Sequence, residues 1–121
     1  MSSPESTLKV ATLNIQGQSG LNITKQKQIE DFVKHNKIDI LHCQEIETCS
    51  NSFQDCSFIS SSFNLLSNNS PINKYGTASL VRNDLYVENV KMDTNDRALV
   101  FEVNNVTFCN FYLHSGNHKN M

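Results

Sequence analysis

No apolar run in this 121-residue sequence approaches the ~20 residues that a membrane-spanning helix needs. The opening MSSPEST has neither the basic start nor the apolar stretch of a secretory signal, so a nuclear or cytoplasmic protein is expected, not a secreted one. The four cysteines, at 43, 49, 56 and 109, form no Cys-x-x-Cys pair, and free thiols are the expectation. Three Asn-x-Ser/Thr sequons, at Asn22, Asn68 and Asn105, carry no meaning without entry to the secretory pathway. Basic charge is also scarce: the net charge is -2, the pI is near 6.0, and no basic localisation run is present. That removes a general electrostatic footprint for nucleic acid but leaves room for a local basic groove. Hydrophobic residues make up 38%, somewhat below the usual share, and neither a repeat nor a linker divides the chain. The sequence therefore fits one small domain or a piece of a larger one.

What is present is periodicity. Residues 1–7 form a short lead and 8–121 the folded part. From Leu8 to Ile15 the chain alternates as a strand, with Leu8, Val10, Thr12 and Asn14 on one face and Lys9, Ala11, Leu13 and Ile15 on the other. Gly17 to Gly20 break that pattern. A helix is predicted from about Thr24 as N-cap, with Ile29, Phe32 and Val33 as its apolar stripe. Asp39 to Gln44 follows as a mostly apolar, buried strand. Strand, helix, strand is a βαβ unit, so the two strands are predicted to be parallel. Parallel strands end on the same sheet edge, where α/β proteins place their sites, and Asn14 and Glu45 stand at those ends. The Ser- and Asn-rich stretch from Thr48 to Lys74 reads as loops and weak strands. Clearer strands follow near 76–81, 86–92, 98–103 and 106–113, the last two joined by a tight Asn104-Asn105 turn.

By themselves Asn14 and Glu45 are weak signals, since Asn commonly ends strands and a glutamate after a strand is more often a surface residue. Their order with other segments is more telling. A strand ending Leu-Asn-Ile-Gln-Gly, a helix, and Ile-Asp-Ile-Leu-His-Cys-Gln-Glu are followed by Tyr75-Gly76-Thr77-Ala78-Ser79-Leu80-Val81-Arg82 and by Asn110-Phe111-Tyr112-Leu113-His114-Ser115-Gly116. Together they resemble the endonuclease/exonuclease/phosphatase superfamily over about Leu8 to Asn117. The Gly-Thr-Ala variant and the opening at residue 8 are most similar to the apurinic-type endonucleases that begin the second open reading frame of LINE retrotransposons.

The resemblance implies a set of roles. Glu45 falls on the family's metal-binding glutamate, which holds one Mg²⁺ (or Mn²⁺) beside the scissile phosphate; a hard oxygen ligand suits that ion. Asn14 falls on the asparagine supporting the metal and phosphate cluster. Tyr112 falls on the tyrosine whose phenol reaches the phosphate; without the motif it would read as a half-buried strand tyrosine. Asn14, Glu45 and Tyr112 are thus the candidate catalytic residues, with Arg97, Ser115 and Asn117 as further candidates for contact with the substrate backbone. His114-x-x-x-His118 imitates zinc spacing, but Gly116 disfavours a helix there and no third ligand is evident. Asp93-Thr94-Asn95 imitates the family's Asp-x-Asn motif but precedes the tyrosine strand, and it reads as a turn.

The implied fold is α/β (α+β), the N-terminal half of a four-layer α/β sandwich. This segment is expected to supply about one mixed sheet and one main helix. The family completes its site with an Asp-x-Asn pair and a Ser-Asp-His ending beyond the tyrosine, whereas nine residues follow Tyr112. The chain alone is therefore expected to be inactive. Its parent would be a DNA-nicking endonuclease that hydrolyses a phosphodiester by metal-assisted attack of water, with DNA as partner and no membrane or obligate protein partner. The alternatives are an abasic-site repair endonuclease, a phosphatase of the same superfamily, or a non-catalytic remnant or binding module.

Overall fold

Alternation in the first strand decides which layers form around it. The computed structural model describes residues 7–15, 23–47, 53, 56–67, 75–92 and 98–111. Strand β1 (Val10–Asn14) directs Ala11 and Leu13, with Ile15 beyond it, into one apolar cluster, while Leu8 packs into a second cluster on the opposite face. Helix α1 (Ile23–Asn36) covers the first face with Ile29 and Val33. Lys34 and His35 in its last turn complement the negative end of the helix dipole. Thr24 lies inside the first turn rather than before it. Phe32 is 43% exposed and lines a groove with Thr12, Leu13 and Ile29 at the sheet edge, so the stripe that packs is narrower than the sequence predicts.

The helix ends in a Schellman motif. Lys37 takes a φ of 54°, its N–H donates to the Lys34 carbonyl at 3.4 Å, and the Ile38 N–H donates to the Val33 carbonyl at 3.0 Å. Ile38 and Val33 join the same cluster, which fixes the chain's entry into β2 (Ile40–Glu47). As the βαβ pattern predicts, β2 runs parallel to β1, with Val10 opposite Ile40 and Asn14 opposite Gln44.

The serine-rich stretch holds a helix that its local pattern conceals. In α2 (Ser57–Ser62) the N-cap residue, Cys56, makes no side-chain capping bond. The cap comes from α1 instead, where Glu30 Oε2 accepts the N–H groups of Phe58 (2.9 Å) and Ile59 (3.4 Å). Strands β3 (Phe63–Ser67) and β4 (Tyr75–Arg82) then complete a mixed sheet in the order β1-β2-β4-β3.

Among the described residues, strands β5 (Val87–Met92), β6 (Ala98–Val103) and β7 (Val106–Phe111) pair with one another, as an antiparallel meander. Asn104 and Asn105, at φ 55° and 66°, supply the two left-handed positions that a two-residue hairpin needs. The meander lays Leu99, Phe101, Val103 and Phe108 against Ile40 and Val81 of the first sheet. Each fully buried side chain of this size contributes roughly 1.5–3 kcal/mol. The described residues therefore form three layers of a partial α/β sandwich: helices, a four-stranded mixed sheet and a three-stranded sheet. The fold class is as predicted. The expected single sheet is instead two, because the turn after Arg82 folds β5 to β7 over the face opposite the helices.

At the end of the mixed sheet where β1 and β2 begin, charges pair with one another. Asp39 accepts the Lys9 backbone N–H at 2.9 Å and also holds the Arg82 guanidinium. Arg82 grips Asp84 through Nε (2.5 Å) and Nη2 (3.1 Å). The bond to Asp84 is the leading reason the Arg82 guanidinium holds its proton more tightly than usual, and in turn it keeps the exposed Asp84 carboxyl below its ordinary range.

Candidate functional site at the C-terminal ends of the parallel strands

The opposite end of the same sheet is built differently. Gln44 pairs with Thr77 and Ile46 with Gly76, which leaves Glu45 as the extra residue of a β-bulge within β2. Its φ is 54°, in the left-handed region that favours glycine. The sequence places Glu45 at the end of the strand; the structure carries the strand on to Glu47 and presents Glu45 from an interruption in the ladder. Such a backbone costs about 1–3 kcal/mol and persists only where its surroundings impose it.

Those surroundings are polar and lie between the sheets. Across the first sheet, Thr12, His42 and Ser79 form one register row, and Asn14, Gln44 and Thr77 form the next. The Gln44 amide donates to Thr12 Oγ1 at 2.8 Å and to Asn110 Oδ1 at 2.9 Å. Asn110, on β7 and only 2% exposed, returns its own amide protons to Cys43 O (3.2 Å), Ala78 O (3.0 Å) and Ser79 Oγ (3.0 Å). The Ser79 hydroxyl, which accepts from Asn110, also hydrogen-bonds His42 Nδ1 at 2.8 Å. Burial lowers the His42 pKa from its ordinary 6.5, which favours the neutral imidazole. The ring packs beside the stacked pair Phe101 and Phe108, at centroid separations of 5.8 and 6.2 Å. The neighbouring Cys43 thiol is pushed up to about 12 by complete burial, so it stays protonated and unreactive near neutral pH.

Thr77 is the exception to this satisfaction. Its side chain is fully buried opposite Gln44, beside the bulge, and Oγ1 has no hydrogen-bond partner among the described residues.

Asn14 and Glu45 would offer a divalent ion one amide oxygen and one carboxylate. Both are hard donors of the kind Mg²⁺ accepts while keeping several waters. Among the described residues no group of three or more His, Cys, Asp or Glu side chains is placed to hold a metal. The residues present fit Mg²⁺ in type, and water or substrate oxygens would complete its coordination. Tyr112, Arg97, Ser115 and Asn117, with His114, His118 and the Asp93-Thr94-Asn95 turn, lie outside the described residues. Gln44, Thr77 and Asn110 were missed as members of this cluster. The available signal was a polar residue on the inward face of an otherwise apolar strand, as at Asn110 after Val106 and Phe108.

No family model and no curated protein matches the chain. Solved structures do. An AP endonuclease from Archaeoglobus fulgidus superposes with a TM-score of 0.66 at 21% identity, over 88% of this chain and 41% of that one. A truncated Caenorhabditis elegans TDP2 gives 0.69 at 23% identity, over 91% and 48%. The AP endonuclease LMAP from Leishmania major gives 0.66 at 16% identity, over 88% and 40%. The chain thus spans less than half the length of these structures. At such identities the likeness establishes the fold alone, a partial α/β sandwich shared with these structures.

Proposed function

We propose that this chain supplies the metal-binding edge of a phosphodiesterase site that acts on DNA, with Glu45 as metal ligand and Asn14 beside it. One observation carries the reading: parallel pairing of β1 and β2 brings Asn14 next to Gln44, and a bulge then sets Glu45 out of the ladder at a φ of 54°. Strained, bulged carboxylates at the C-terminal edge of parallel strands are a device of active sites rather than of stability.

Mg²⁺ (or Mn²⁺), when bound, would supply Lewis-acid polarisation of a phosphoryl oxygen and a more acidic water. Glu45 would anchor the ion from the bulge, and Asn14 would orient a ligand water or phosphate oxygen through its amide. Tyr112, two residues beyond the buried Asn110, would bring its phenol to the phosphate, with Arg97, Ser115 and Asn117 as backbone contacts. Water activation and phosphate charge stabilisation fall to the aspartate and histidine that the resemblance expects beyond Tyr112. Nicking therefore belongs to the complete domain. Likeness to two AP endonucleases favours DNA over a phosphoinositide as substrate. Within DNA enzymes, the Gly76-Thr77-Ala78 variant favours the retrotransposon nicking enzyme over abasic-site repair.

Two measurements test this. In the 121-residue chain, Mn²⁺ should broaden the NMR amide signals of Asn14 and Glu45 selectively, and Glu45→Ala should abolish the effect; indifference to that substitution would refute the metal role. In the protein carrying the complete domain, supercoiled plasmid should be nicked with Mg²⁺, and Glu45→Ala should reduce the rate by at least about 100-fold. Preference for plasmid carrying abasic sites would move the assignment to repair.

A further inference from the structure

Glu45 alone does not explain its own backbone. A glutamate in the left-handed region relaxes to an extended conformation unless its neighbours prevent it. The residue before it is held from three directions. The Gln44 carbonyl accepts the Ile15 N–H at 2.9 Å, which ties it to the end of β1. One side-chain N–H reaches Thr12 Oγ1, also on β1. The other crosses to the second sheet and meets Asn110 Oδ1. Asn110 cannot drift, because it is buried and its amide protons are shared among Cys43 O, Ala78 O and Ser79 Oγ, on the two strands flanking the bulge. Gln44 donates to Asn110 and Asn110 in turn to Ser79, whose hydroxyl also bonds His42 Nδ1, so the contacts form one continuous network.

We propose that Gln44 is a positioning residue, and that its amide, clamped between Thr12 and Asn110, locks the bulge that presents Glu45. The clamp joins three strands from two sheets at the one point where the β2–β4 register shifts. An interaction of this kind beside a metal ligand typically governs metal affinity by 10–100-fold without touching the ion. The functional part of the inference rests on Glu45 being the metal ligand; the structural part does not.

The two parts are read separately by NMR on the 121-residue chain. Positive φ gives a strong contact between a residue's own amide and α protons, so Glu45 should show it, as should Asn104 and Asn105 in the remote hairpin. Gln44→Met keeps the length and removes both donors. It should abolish the signature at Glu45, preserve it at Asn104 and Asn105, and weaken Mn²⁺ binding by about tenfold or more. A general loss of structure would remove the hairpin signatures as well. In that event Thr12→Val, which deletes one acceptor and leaves Asn110 in place, should give a partial loss confined to Glu45. Persistence of the Glu45 signature with Mn²⁺ affinity within twofold of wild type, in whichever variant folds, would overturn the proposal. Loss of the signature with unchanged Mn²⁺ affinity would uphold the clamp and refute the metal role of Glu45.

Discussion

The two ends of the mixed sheet use polar residues in opposite ways. Where β1 and β2 begin, Asp39, Arg82 and Asp84 spend their charges on one another and on the Lys9 backbone. Where β1 and β2 end, the polar groups are neutral amides, hydroxyls and an imidazole, beside a strained glutamate and a threonine hydroxyl that has no partner among the described residues. The first end is closed chemistry, satisfied within the fold. The second keeps backbone strain and a polar atom that no described residue satisfies.

Breaking the charged end should therefore cost stability and nothing else. Asp39 is buried and serves both Lys9 and Arg82, so Asp39→Ala should destabilise by about 2–4 kcal/mol, discounted from a fully buried pair because the Arg82 side chain is 41% exposed. Urea unfolding would measure that loss, and Mn²⁺ broadening at Glu45 should be unchanged under conditions where the variant is folded. A change in Mn²⁺ response would show that the two ends are coupled.

The neutral end should respond to pH. His42 holds its proton less tightly in the folded chain than at its ordinary 6.5, because burial disfavours the charged ring and its neighbours Thr12, Ser79, Phe101 and Phe108 carry no charge. The unfolded chain thus binds more protons, and stability rises with pH. The His42 contribution is complete above about 6.5 and is lost as pH falls from there toward the lower folded value, with a slope of at most about 1.4 kcal/mol per pH unit. His42→Gln should flatten that part of the profile; an unchanged profile would assign the acid sensitivity to other groups.

Local chemistry explains which features were legible in the sequence. The Asn104-Asn105 hairpin and the parallel β1–β2 pair rest on residues adjacent in the chain or on one helix crossover, and both are as predicted. Alternation cannot say which sheet a strand joins, and so the split into two sheets was not visible. Helix α2 was hidden because its cap, Glu30, lies 28 residues before Phe58. The bulge was hidden because no glycine marks it, and its clamp joins Gln44 to a residue 66 positions away. Glu45 and Asn14 are candidates through resemblance alone; the contact of neighbouring Gln44 with Asn110 was not legible, since only the folded chain brings those two together.

The comparison is sharpest where the two ends share the same strain. Lys37, after α1 near the charged end, and Glu45 both have a φ of 54°. Glycine relieves a left-handed backbone at either position. Glu45→Gly should gain about 1–2 kcal/mol over Glu45→Ala, while both lose the Mn²⁺ response. Lys37→Gly should gain slightly less, about 0.5–1 kcal/mol, because the Schellman bonds to Lys34 and Val33 already favour the turn and glycine merely removes the steric penalty there. It should leave Mn²⁺ binding intact. Relief of strain at both positions, with loss of the metal response at Glu45 alone, would identify the bulge as strain retained for function. If Glu45→Gly gave no gain over Glu45→Ala, the left-handed backbone at Glu45 would carry no strain, and the asymmetry between the two ends would rest on the Thr77 hydroxyl, which has no partner among the described residues.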